Sequence, residues 1–189
     1  MKSQEITKAA KDLFNKYGFK KVSVDEIAQN AGVTKKTVYS YFSSKEEILQ
    51  ECIKEELEGM KKIIEDVEKE NNDFFEEIHK TIYKLLKYKK QKKFFKTLIT
   101  EGEVLRNKVV IDNLKVIDME IKEYIKEKLI KAQGQKKINV ENLDIMTFLI
   151  YEMYFALMFN WDERNPKINE KDISDSILSI LKYGLRGNL

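Results

Sequence analysis

Residues 35–41 read KKTVYSY. Lys35, Lys36, Thr37, Tyr39 and Ser40 fall on one surface of a short helix whose inward member is Val38. That surface carries two cations, two hydroxyls and a phenol, and no carboxylate. Groups of this kind neutralise phosphates and hydrogen-bond to the edges of bases. A helix of this length spans about 10 Å, close to the width of the major groove of duplex DNA. Lys45 follows in the first turn of a longer helix, where a cation opposes the helix dipole. A phosphate is the partner such a placement predicts.

The elements that must hold these groups are legible on either side. Ser23 and Glu26 have the spacing of a capping box, which starts a helix near Val24. Val24, Ile27, Ala28 and Ala31 form its buried face, and the small Ala28 lets a second helix approach. Gly32 supplies the left-handed conformation that ends it, and Val33 plugs the turn. Thr34 then caps the helix from Lys35 to about Tyr41. Ser44 and Glu47 repeat the capping-box spacing and open the long helix. Upstream, Ile6, Ala9, Ala10, Leu13, Phe14 and Tyr17 make a helical stripe, terminated at Gly18. The pattern predicts a three-helix core with two short helices joined by a tight turn, an arrangement that presents one helix to the major groove.

Ala10, Leu13, Phe14, Gly18, Val24, Ile27, Ala28, Ala31, Gly32, Val33, Thr37, Tyr39, Tyr41, Phe42, Lys45, Glu46 and Leu49 resemble the DNA-binding domain of the tetracycline-repressor (TetR) family of bacterial transcription regulators. The resemblance covers about the first 50 residues closely, and the remainder agrees in length and order of helices. Lys36 departs from it, standing where many members carry glycine. The resemblance implies that Lys35, Lys36, Thr37 and Ser40 face bases, and that Ser23, Thr34, Tyr39, Tyr41 and Lys45 hold phosphates. It also implies a homodimer and an effector cavity in the C-terminal helices.

Composition agrees with an all-α chain: among 189 residues proline occurs once and glycine seven times, and 42% of residues are hydrophobic. The formal net charge is +3, and residues 1–48 hold nine lysines against six acids, so the whole excess lies in that segment. Affinity for a polyanion must therefore come from where the charges sit. The only arginines are Arg106, Arg164 and Arg186. Guanine reading near the N-terminus thus falls to Lys35 or Lys36, and an A·T-rich target is expected, although a low-GC genome also explains the lysine excess.

Further along, apolar spacing predicts helices over 44–70, 74–88, 91–101 (ended by Gly102), 104–132, 139–161 (capped by Asn139) and 170–185 (capped by Asn169), with a turn at Asn165-Pro166. The expected architecture is a three-helix helix-turn-helix domain, 1–48, followed by an effector-binding and dimerisation bundle, 49–189, about nine helices in all. From Leu149 to Phe159 the eighth helix is apolar around almost its whole circumference, which predicts burial on all sides. A chain of this size has few elements to provide that, so helices eight and nine are expected to pair with their copies across a two-fold axis.

Phe95, Tyr151, Phe155 and Phe159 are candidate walls of an effector cavity, and each also suits ordinary core. Glu152 lies among apolar residues, as a solvent-facing group, a partner for lysine or a recogniser of a cationic ligand. Cys52, the only cysteine, reads as a small hydrophobe and offers no zinc spacing. His79, the only histidine, sits on a charged helix and reads as a surface residue. No metal, cofactor or catalytic motif is present, which argues against an enzyme. No apolar run approaches the roughly 18 residues of a membrane span, and no signal peptide opens the chain. The expectation is a cytoplasmic, homodimeric regulator that binds a double-stranded DNA operator and answers to a small-molecule effector. The alternative is a helical adaptor that binds a protein partner and uses DNA as a platform.

Overall fold

Capping chemistry places the N-terminal helices. In the computed structural model, which describes residues 2–70, 73–160 and 169–185, α1 (Lys2–Tyr17) ends at Gly18, where φ is +82°. The Ser23 hydroxyl accepts from the Glu26 N–H at 3.3 Å, and the Glu26 carboxylate accepts from the Ser23 N–H at 2.7 Å. This closed capping box starts α2 (Val24–Asn30). Gly32, at φ +66°, makes the turn. The Thr34 hydroxyl accepts from the Thr37 N–H at 3.1 Å and starts α3 (Lys35–Tyr41).

The long helix α4 (Lys45–Glu68) begins with half of the expected box. The Ser44 hydroxyl accepts from the Glu47 N–H at 3.2 Å, but the Glu47 carboxylate turns to Ser43. There it accepts from the Ser43 amide at 2.5 Å and the Ser43 hydroxyl at 2.6 Å. Asp73 caps α5 (Phe74–Lys87) through the Phe75 and Glu76 amides. α6 (Lys89–Leu105) and α7 (Lys108–Gly134) follow. Then come α8 (Leu143–Phe155), a π-helical turn over Ala156–Asn160, and α9 (Glu170–Leu185), capped by Asn169.

Four boundaries differ from the sequence pattern. α6 runs through Gly102 to Leu105, and the reversal falls at Arg106, φ +48°. Gly102 serves packing: a Cβ there would lie 3.3 Å from Leu114 Cδ1, so the missing side chain lets α7 come close. α7 consequently starts at Lys108. The cap of α8 is Asn142, whose side-chain Oδ1 accepts from the Ile145 N–H at 3.0 Å; Asn139 lies ahead of the helix. Regular α-helix stops at Phe155, and Trp161 and the Asn165-Pro166 turn lie outside the described residues.

The described residues form nine α-helices and no strand, grouped in two compact units. The first comprises residues 1–60 and 90–115. Its centre is Ile6, Ala10, Phe14, Ile27, Val38, Ile48 and Leu49, all fully buried, with Phe14 and Phe19 edge to face at 5.4 Å. Lys11 donates to the buried Glu56 at 2.7 Å, tying α1 to α4. Burial works against the Lys11 charge, but its bond to Glu56 and the nearby Glu55 outweigh this and raise its pKa. Cys52 is fully buried, and burial pushes its thiol up, away from the reactive thiolate.

The second unit comprises residues 61–89 and 116–189. α5 packs along α9, with His79 Nε2 2.6 Å from Asp175 Oδ1. Lys128 of α7 donates to both Glu68 and Glu77, and the Tyr124 hydroxyl donates to Glu68 at 3.1 Å. The Lys128 bond holds the Glu68 carboxyl below its usual range against the effect of burial.

Candidate nucleic-acid interface

α3 is anchored by Val38 alone at its fully buried face, which leaves the opposite side to solvent. Lys35, Lys36, Ser40, Tyr39 and Tyr41 are exposed, and Thr37 is half-buried. The hydroxyls are partly used at home. Thr34 and Thr37 hydroxyls lie 2.9 Å apart, Ser40 donates to the Thr37 carbonyl at 2.7 Å, and Ser23 donates to Glu26 at 2.7 Å. These bonds set the direction of each hydroxyl while leaving lone pairs outward.

A carboxylate does reach this surface, contrary to the sequence pattern. Asp25, in the first turn of α2, accepts from Lys35 Nζ at 2.7 Å, and this bond raises the Lys35 pKa. The turn at Gly32 brings the two helix starts side by side, a juxtaposition that periodicity within either helix does not encode. Among the described residues Lys36 makes no ion pair, so its charge is the one left open on the α3 face.

Lys45 is deployed differently from a simple phosphate anchor. Its ammonium donates to the Phe19 carbonyl at 2.9 Å and the Val22 carbonyl at 2.8 Å, and sits 4.4 Å from the centre of the Phe19 ring. Two of its three N–H donors are thus committed within the protein. The cation at a helix start, anomalous against the dipole, is explained by the carbonyls of the turn between α1 and α2. On the other side of that turn, the buried Glu101 of α6 accepts from the Phe19 and Lys20 amides. Sequence reasoning missed both Asp25 and Glu101. Asp25 was visible only as a helix-start acid, and Glu101 has no local signal because its partners lie about eighty positions away.

The candidate cavity residues separate. Phe95 is buried in the first unit beside Phe94, ring centres 5.7 Å apart. Tyr151, Phe155 and Phe159 make a ladder in the second unit, at 5.8 and 5.0 Å. One turn before Tyr151, the buried Thr147 hydroxyl has no hydrogen-bond partner among the described residues. Lys122 sits 4.5 Å from the Tyr151 ring centre and pairs with Asp118 at 2.9 Å. Glu152 is half-buried on the same helix. The described residues hold no cluster of metal-ligating side chains. None of their helices is long and apolar enough to cross a membrane.

A buried three-helix core, a tight glycine turn and a polar, cation-bearing outer helix define a helix-turn-helix DNA-binding protein. Residues 6–52 match the family described as bacterial regulatory proteins, tetR family. Over 97% of its length the chain is 25% identical to 96% of the Bacillus subtilis protein named uncharacterized HTH-type transcriptional regulator YhgD. Two solved structures share the whole fold. A transcriptional regulator from Rhodococcus sp. Rha1 has a TM-score of 0.76 at 15% identity, covering 100% of both chains. The fatty acid degradation regulator FadR from Bacillus halodurans has a TM-score of 0.72 at 20% identity, covering 99% of this chain and 97% of its own. Residues 6–52 thus carry the DNA-binding domain of TetR-family regulators, and the chain as a whole is similar to an HTH-type transcriptional regulator.

Proposed function

We propose that this regulator is a cytoplasmic homodimeric repressor whose grip on an operator is weakened by a small-molecule effector, and that it works by binding rather than by catalysis. Residues 1–48 form the reading part in this scheme, and 49–189 the effector-binding and dimerisation part. The outer face of α3 carries the reading: Lys35, Lys36, Thr37 and Ser40 meet base edges, while Ser23, Thr34, Tyr39, Tyr41 and the remaining donor of Lys45 meet phosphates. Support comes from the exposure of this face opposite the buried Val38.

The dimer is proposed on α8 and α9. Ile145, Phe148 and Leu149 on α8 and Ile180 and Tyr183 on α9 are exposed, the kind of apolar surface that a partner subunit covers. The effector site is proposed along the Tyr151–Phe155–Phe159 ladder, with the unpartnered Thr147 hydroxyl as a polar contact and Glu152 at its edge. Repression follows from linkage: an effector favouring a dimer with wrongly spaced α3 helices lowers DNA affinity by the coupling energy, typically about 1–3 kcal/mol.

The test is selection of bound duplexes from a random library by the full-length chain. A two-fold symmetric consensus with half-sites about one helical turn apart is expected, and Lys36→Ala should change its sequence. Failure to enrich any duplex, or enrichment of a single half-site by a monomer, would overturn the reading.

A further inference from the structure

The turn that joins α1 to α2 is held from two directions by charged side chains outside it. Its amides go to one side chain: Glu101 Oε2 accepts from the Phe19 N–H at 2.5 Å, and Oε1 accepts from the Lys20 N–H at 2.7 Å. Its carbonyls go to a different side chain, for Lys45 donates to those of Phe19 and Val22. Both grips are charge-assisted, the stronger kind of hydrogen bond. The next residue, Ser23, is the cap of α2. The turn therefore fixes where α2 begins and, through the Gly32 turn, where α3 points.

Glu101 is itself held. Only 4% of it is exposed, and Asn107 Nδ2 donates to Oε1 at 3.1 Å. The Asn107 carbonyl oxygen accepts from the Val109 amide at 3.1 Å, so one side chain both starts α7 and aims Glu101. A Cβ at Gly18 would lie 2.9 Å from Glu101 Oε2, so the glycine leaves room for the carboxylate as well as permitting the positive φ. A buried carboxylate lacking such donors would be strongly unfavourable. The turn and Glu101 thus require each other.

We propose that Glu101 is a positioning residue for DNA recognition: delivered by α6, its carboxylate fixes the turn from which α2 and α3 spring, so specific binding depends on a side chain outside the helix-turn-helix. The proposal rests on α3 being the reading helix. A role limited to stability would weaken folding and lower affinity for every duplex alike. A positioning role lowers the preference for the right duplex while the chain stays folded.

The test uses the full chain, a duplex selected from a random library by the wild type, and a scrambled duplex of equal length. Glu101→Gln keeps the size of the side chain but turns one acceptor into a donor facing a backbone N–H. At a temperature where its circular dichroism equals the wild type's, affinity for the selected duplex should fall about tenfold, with the scrambled duplex little changed. Wild-type Phe19 and Lys20 amides should exchange with deuterium slowly, and both should quicken in the variant. An unchanged ratio of selected to scrambled affinity overturns the proposal. So does wild-type exchange at these two amides as fast as at exposed ones, a result that requires no variant to fold. If the wild type enriches no duplex, the DNA reading falls and takes the proposal with it; enrichment with an unchanged ratio in Glu101→Gln sinks the proposal alone.

Discussion

The α2–α3 segment and the α8–α9 pair solve opposite problems. α2 and α3 have seven residues each, too short to be stable alone. They are fixed by caps, a glycine turn and one or two buried side chains apiece, and they turn polar groups outward. α8 and α9 are longer and far more apolar, yet they leave large hydrophobic side chains uncovered: Phe148 is 52% exposed and Tyr183 80%. The first region is complete within one chain and offers its surface to a polar ligand. The second leaves apolar side chains bare, and in the proposed dimer its copy covers them. Exposure alone therefore has no single meaning; its chemistry decides whether a face is ready to bind water-loving phosphate or still lacks its partner.

The contrast breaks most severely if the apolar face can be charged without consequence. Phe148→Glu should raise the dimer dissociation constant by about a hundredfold or more, since an unpaired carboxylate would have to be buried. Sedimentation across a concentration series checks it, and an unchanged dimer removes α8 from the proposed interface.

Within the reading unit, the two glycines of positive φ sharpen the comparison. Gly18→Ala meets both backbone strain and Glu101, whereas Gly32→Ala meets strain with nothing within 4 Å. Thermal unfolding should show Gly18→Ala losing about 2–3 kcal/mol and Gly32→Ala about 1 kcal/mol. Equal losses would mean that Glu101 yields without resistance.

A smaller effect concerns the charge balance of the α3 face. Asp25→Asn releases Lys35, so affinity for any duplex should rise several-fold and the salt slope steepen by about one unit. Titrations at several salt concentrations measure both, and a fall in affinity would show that Asp25 aims Lys35 usefully.

The smallest effect is acid fraying of the caps. The Ser23 amide and hydroxyl hold the Glu26 carboxyl below its ordinary 4.5, and Ser43 does the same for Glu47. A lowered folded value means this stabilisation is complete above pH 4.5 and is lost as pH falls through the lowered values. Protection of the Glu26 and Glu47 amides from hydrogen exchange, relative to an unstructured chain at the same pH, should fall in that window and not above it.

The N-terminal helices were legible because their signals are local. Ser23 with Glu26, Thr34 with Thr37, and the two glycines each act within four residues, and spacing along the chain is enough to recognise them. Gly102 misled for the same reason: a glycine ending a stripe looks like a stop until the side chain of Leu114 is seen to need its space. Asn139 and Asn142 are equivalent as capping residues, and the choice between them fell to the packing of the segment before α8, where Ile138 and Val140 are buried.

What the chain determined by itself was the set of helices near its N-terminus, the polar face of α3 and the apolar excess of α8, because each depends on residues a turn or two apart. What only the tertiary structure decided was which charges meet across those helices. Asp25 beside Lys35, Lys45 under the carbonyls of Phe19 and Val22, and Glu101 against the amides of Phe19 and Lys20 all join groups that periodicity cannot pair. The reason is physical: a cap is a short-range bond with fixed spacing, whereas an ion pair or a buried carboxylate finds its partner only after packing has brought distant segments together.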